Sequence, residues 1–183
     1  VPLKRKVTHA LYSRTESESI LVRCELEDGT LGWGESVPRP YVTGDTADSV
    51  LSQYQATDFR PLTDWRWDSA AEMLSLCLSL KLAAPPDGPA AYQSRGCLGN
   101  AARCAMELSL LDAATRSLNV PISDVLTCLD EQQTLTQQLP EVRYSAVLTS
   151  MKPVKQTLLS LLYRLTGFRQ CKIKVGIPGC DDL

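Results

Sequence analysis

The chain has 183 residues, 44% of them hydrophobic, and 19 Lys and Arg against 21 Asp and Glu leave a formal net charge of −2. That length suits one ordinary domain or two small ones with a soluble core, and no basic run with interleaved aromatics is present to track a phosphate backbone, which argues against a nucleic-acid partner. The basic start Val1-Pro2-Leu3-Lys4-Arg5-Lys6 leads into alternation rather than a long apolar stretch, so neither a signal peptide nor a membrane span is expected and the location is read as cytoplasmic.

In chain order, Leu3 to Leu11 reads as a strand, and Ile20, Val22, Cys24 and Leu26 place an apolar residue at every second position of another. Asp28-Gly29 is expected to form a two-residue turn with positive φ, closing a hairpin onto Leu31-Gly32-Trp33-Gly34-Glu35. The expectation is a three-stranded antiparallel meander. Its loops are Tyr12 to Ser19, polar and charged, and Val37 to Gly44, stiffened by Pro38 and Pro40.

From Asp45 the period becomes helical. Thr46 can cap a helix to about Thr57, and a second is expected from Trp65 to Leu82, ahead of the breaker Pro85-Pro86-Asp87-Gly88-Pro89. A third, Asn100 to Leu118, has Asn100 as its expected N-cap. Its apolar stripe is Cys104, Leu108, Leu111 and Leu118, with Ala101, Ala105 and Ala114 allowing close approach. Pro121 can begin a short helix through Leu126, and the polar stretch Asp130 to Gln138 reads as a connector, which puts the domain boundary at 130/131.

Beyond it, Tyr144 to Leu148 is a short apolar run, Val154 to Leu165 an amphipathic helix that Gly167 can end, and Gln170 to Val175 a strand. Strand-helix-strand is the unit that builds parallel sheets by a right-handed crossover. Its last strand sets Gln170, Lys172 and Lys174 on one side and Cys171, Ile173 and Val175 on the other. The two lysine stems start roughly 7 Å apart. Facing a barrel interior, each charge would raise the cost of protonating the other, leaving one free amine able to take a proton. Taken alone, the pattern favours a solvated edge strand, where lysines guard against sheet-to-sheet pairing.

Seven cysteines, odd in number and without a CxxC pair, read as reduced and mostly buried thiols, and a single histidine, His9, leaves no His-based metal site or triad. Glu35 ends an edge strand and Glu107 is expected to pair with Arg103 one turn back on its helix, so neither is a candidate acid.

Four strings, in order, carry a family likeness across nearly the whole chain: Asp28-Gly29-Thr30-Leu31-Gly32-Trp33-Gly34-Glu35-Ser36, Tyr41-Val42-Thr43-Gly44-Asp45-Thr46, Ala101 to Ala113, and Lys172-Ile173-Lys174-Val175-Gly176. The sequence resembles the enolase superfamily of the mandelate racemase and muconate-lactonising type, on its dipeptide epimerase-like side.

The resemblance implies an α+β capping domain over 1–130, followed over 131–183 by the start of a TIM-type (β/α) barrel. It implies Lys174 as the base that abstracts the proton α to a carboxylate and Lys172 as the neighbour that tunes it, with Mg²⁺ stabilising the enolate. Arg14 with His9 at the first loop, and Arg39 with Tyr41 at the second, are implied substrate contacts, Arg14 offering a planar fork to a carboxylate. The metal ligands and an opposing lysine would belong to later strands, so no metal ligand is assigned within the chain. It is expected to be the truncated front part of a longer enzyme and inactive by itself. The implied activity is racemisation, epimerisation or cycloisomerisation of a small carboxylate. Acid-sugar dehydration and a non-catalytic assembly module keeping the capping fold are the alternatives, and the oligomeric state is open.

Overall fold

In the computed structural model, strand β1 (Pro2–His9) pairs antiparallel with β2 (Tyr12–Glu16), with Val7 opposite Arg14 and His9 opposite Tyr12. The structure describes residues 1–9, 12–86, 96–129, 141, 143–148 and 153–174, which fall into two compact units, Val1 with Ser17–Gln137 and Pro2–Glu16 with Gln138–Leu183. The expected 130/131 boundary and residues 87–89 of the proline-rich breaker lie outside the described residues.

The first correction concerns the meander. Tyr12–Glu16, expected as part of a loop, is a strand in which half-buried Tyr12 and Arg14 alternate with exposed Ser13 and Thr15. The Arg14 side chain takes an inward position with its Nε buried, so the alternation is real although its residues are polar. Among the described residues the antiparallel strands form two two-stranded sheets, β1 with β2 and β3 (Ile20–Glu25) with β4 (Leu31–Ser36), rather than one of three. The second hairpin also turns differently. The Gly29 amide donates to the Leu26 carbonyl at 2.9 Å, centring the turn on Glu27-Asp28, and Gly29 follows at φ +82°. That is the longer hairpin loop with a left-handed residue after the turn.

Among the described residues four helices follow β4 in its unit: α1 (Ala47–Ala56), α2 (Ala70–Ser79), α3 (Asn100–Ser117) and α4 (Asp124–Cys128), with a 3-10 turn over Arg60–Asp64. Thr46 caps α1 as expected, in a reciprocal arrangement with Ser49. The second helix starts at Ala70 instead of Trp65, because Ser69 accepts from the Glu72 amide and Glu72 reaches back to the Asp68 amide. Trp65 and Trp67 precede it and pack at the edge of the core built from Met73, Cys77, Leu80, Leu110 and Ala114. Full burial of side chains such as Met73 and Leu110 contributes about 1.5–3 kcal/mol each.

Along β4, Gly32, Gly34 and Ser36 are buried while Leu31, Trp33 and Glu35 are exposed. The buried side is the glycine side because α3 lies directly on it: a Cβ at Gly34 would collide with the Ala105 carbonyl, and one at Gly32 with the Ala113 amide. So close an approach admits only small side chains, and α3 meets the strand with Ala105, Ser109 and Ala113, while its Ala101 and Ala102 pack with Val50 and its Leu110 and Ala114 with Met73. The stripe expected to be buried is displaced, with Cys104 and Leu108 exposed and Leu111 and Leu118 half-buried. Nor does Asn100 cap this helix. Gly99 occupies that position with φ +88°, and the carboxylate of Asp45 accepts from the Gly99 amide at 2.8 Å and the Ala101 amide at 3.2 Å.

In the second unit, β5 (Ala146–Leu148), α5 (Pro153–Leu165) and β6 (Cys171–Ile173) form the expected strand-helix-strand, with β5 and β6 parallel. Gly167, at φ +88°, ends α5: the Phe168 amide donates to the Tyr163 carbonyl at 3.0 Å and the Gly167 amide to the Arg164 carbonyl at 3.2 Å. The Tyr163 and Phe168 rings meet edge to face at 5.5 Å, the apolar contact that accompanies this type of helix stop.

Candidate active site

The lysine pair sits where the strand-helix-strand unit ends. The Lys174 amide donates to the Leu148 carbonyl at 2.9 Å, so the pairing with β5 continues one residue past Ile173. In parallel register Val147 lies opposite Lys172, and Ala146 and Leu148 lie opposite Cys171 and Ile173. Residues side by side share a face of a pleated sheet. Ala146 and Leu148 are buried and α5 packs on β5, whereas Val147 and Lys172 are exposed and Lys174 is half-buried. Lys172 and Lys174 thus share the side of Val147, while Cys171 and Ile173 on the other side of β6 are exposed as well, and neither ammonium is ion-paired to a described residue. A cavity of about 600 Å³ beside Tyr144 and Gln170 lies at the other end of these strands, before β5 and β6 begin, and does not include either lysine.

The remaining candidates fall on two local structures. His9 and Arg14 belong to the β1-β2 hairpin, His9 at the end of the first strand and Arg14 in a strand rather than in the loop expected, half-buried opposite Val7. Arg39 and Tyr41 belong to a tight turn of the other unit, where the Arg39 carbonyl accepts from the Val42 and Thr43 amides at 2.8 and 2.9 Å and the Pro40 carbonyl from Gly44 at 3.1 Å. This turn hands directly on to Asp45 and Thr46, which bind the starts of α3 and α1, so Arg39 and Tyr41 stand on an anchored support. The Arg39 Nε and the Ser36 Oγ are buried without a hydrogen-bond partner among the described residues. Ser36 was not a sequence candidate, since nothing about a serine closing a strand marks it as one.

The bland readings are borne out for two other groups. Arg103 and Glu107 form the expected pair at 2.7 Å, and Arg103 also donates to the Leu80 carbonyl at 2.8 Å. Cys24, Cys77, Cys104, Cys128 and Cys171 are free thiols, although the last three are exposed rather than buried; Cys180 lies outside the described residues. Burial pushes the Cys77 thiol up to about 12, with Glu107 adding to the effect, and raises Cys24 as well, which leaves both as packing groups rather than nucleophiles. Among the described residues no three His, Cys, Asp or Glu gather as metal donors, and no helix is long and apolar enough to cross a membrane.

No family model matches the chain. It is similar to an L-Ala-D/L-amino acid epimerase of Populus trichocarpa, 26% identical over 183 residues, covering 100% of this chain and 38% of that protein. It is also similar to an aromatic dipeptide epimerase of Herpetosiphon aurantiacus, 31% identical over 124 residues, covering 67% of this chain and 30% of that protein. Among solved structures, a dipeptide epimerase from Methylococcus capsulatus complexed with Mg and the dipeptide L-Arg-D-Lys superposes with a TM-score of 0.61 at 25% identity, over 99% of this chain and 43% of that one. The chain therefore spans less than half the length of the relatives it matches.

Proposed function

We propose, from the premise that this chain belongs to the enolase superfamily, that it contributes the capping domain (1–130) and first strand-helix-strand unit (131–183) of a metal-assisted isomerase. The enzyme would act on the carbon next to a carboxylate, as a racemase or epimerase of dipeptides or N-acyl amino acids. The observation that carries this reading is that Lys172 and Lys174 share one side of β6, in parallel register beside Val147 of β5.

Lys174 is the proton acceptor, its amine taking the α-proton, and Lys172 tunes it through like-charge repulsion from the same side of the strand. Arg14 and His9 on the β1-β2 hairpin, and Arg39 and Tyr41 on the anchored turn, are the substrate-recognition groups, with the Arg14 guanidinium matched to a carboxylate. Mg²⁺, present with dipeptide in the Methylococcus capsulatus relative, would supply stabilisation of enolate charge. The described residues form no donor set for it, so its ligands would lie elsewhere in the protein.

The test uses protein expressed from its complete reading frame, incubated in heavy water with Mg²⁺ and a panel of dipeptides and N-acyl amino acids. Exchange of the α-proton, followed by NMR, is expected for at least one substrate and should fall by about 10²–10⁴-fold in Lys174→Ala. Absence of exchange across the panel, or an unchanged rate in that variant, removes the proposal.

A further inference from the structure

The first unit contains a cleft of about 500 Å³ that the lysine chemistry leaves unused. That volume is in the range of small-molecule sites. Its floor includes Leu62, Trp65, Trp67 and Leu110, and these residues pack into the Met73 and Cys77 core, so the apolar wall is formed in advance of any ligand. The segment carrying the two tryptophans is pinned: the Trp65 amide donates to the Leu62 carbonyl at 3.2 Å, and the Arg66 guanidinium to the carbonyls of Thr63 and Trp65 at 2.9 and 2.7 Å.

The rim has a definite sign. Glu25, Glu27 and Asp28 line it against one cation, Arg66, whose guanidinium is already committed to those carbonyls and to Glu27 at 3.5 Å. Arg23, outside the lining, offsets Glu25 at 3.3 Å. The C-terminal end of α3 also reaches the cleft at Ser117 and Leu118, and the carbonyl end of a helix favours positive charge. A carboxylate would be repelled here. A neutral apolar molecule would leave the charged rim without a counterpart.

We propose that this cleft binds a small amphiphilic monocation, an ammonium carried on an aromatic or branched apolar body. The body occupies the floor beside Leu62 and Leu110, and the charge stays at the carboxylate rim within reach of the indoles, which attract cations through their ring electrons. The site is chemically opposite to one for carboxylate substrates, so its test is independent of the proposed isomerase.

The probe is benzyltrimethylammonium, compared with benzyl alcohol as a neutral body and benzenesulfonate as an anionic one, titrated into the full chain while the indole N–H resonances are recorded. The chain has three tryptophans, and Trp33 lies half-exposed on the outer side of β4, so Trp33→Phe leaves the two cleft indoles as the reporters. Saturable shifts of both are expected for the cation, with affinity about tenfold above benzyl alcohol, and none for benzenesulfonate. Glu27→Gln combined with Asp28→Asn, which keeps an acceptor for the Thr30 amide, should reduce that preference about threefold or more. Equal affinity for the cation and the alcohol, saturation by the sulfonate, or no saturation by the cation overturns the proposal.

Discussion

Asp45 ties the start of α3 to a part of the chain far from it in sequence. It is 1% exposed, and its two carboxylate oxygens accept from Gly99 and Ala101, where helix amides have no partner of their own and the helix end favours negative charge. Asp45→Ala should lower stability by about 2–3 kcal/mol, read as a smaller urea midpoint at unchanged slope, and Asp45→Asn should recover part of the loss. Tyr54 offers a pH-dependent counterpart. Its hydroxyl donates to the Ala102 carbonyl at 2.6 Å, and burial, with Cys104 adding, pushes the phenol from 10.0 up to about 12. The folded value is the higher one, so this contribution to stability is complete below pH 10 and is lost as pH rises toward 12. Tyr54→Phe should be less stable than the parent by about 1 kcal/mol near neutrality, and the gap should close across that alkaline window. A gap that stays constant with pH would contradict this account. Cys77 titrates in both proteins and cancels from the comparison.

At the scale of elements, helix ends and one interface decide the packing. Ser69 sets the start of α2, and Ser69→Ala should cost about 1 kcal/mol in thermal or urea unfolding. Asn119 ends α3 as Gly167 ends α5: it has φ 54°, and the Val120 amide reaches back to the Thr115 carbonyl at 2.9 Å. The β4-α3 contact depends on missing side chains, since Gly34 meets the Ala105 carbonyl with no room for a methyl group. Gly34→Ala must either separate strand from helix or shift the helix backbone, and about 3 kcal/mol or more of destabilisation is expected, measured by the same titration. The carbon skeletons of Cys104 and Leu108 are exposed for the same reason. Periodicity finds the large apolar residues of a helix, but here the partner surface selects the small ones.

At the scale of the whole molecule, the proposed chemistry separates the two lysines by role. In the exchange assay Lys172→Ala should retain measurable activity, while Lys174→Ala should show the larger loss; equal loss in the two variants would refute this division of roles. Much of this arrangement was legible in the residues. The start of α1 at Thr46, the stop at Gly167, the Arg103-Glu107 pair and the strand-helix-strand order all depend on neighbours a few positions apart, which local chemistry specifies. The pairing of β1 with β2, the Ala face of α3 and the Asp45 cap were not legible. Two of these join distant segments chosen by packing, and the third hides behind an arginine serving as an inward residue. The sequence by itself determined that Lys172 and Lys174 share one side of a strand, because the pleat repeats every second residue. Only the tertiary structure decided which side that is: parallel register with β5 sets the lysines beside exposed Val147, on the side away from buried Ala146 and Leu148, where α5 packs on β5.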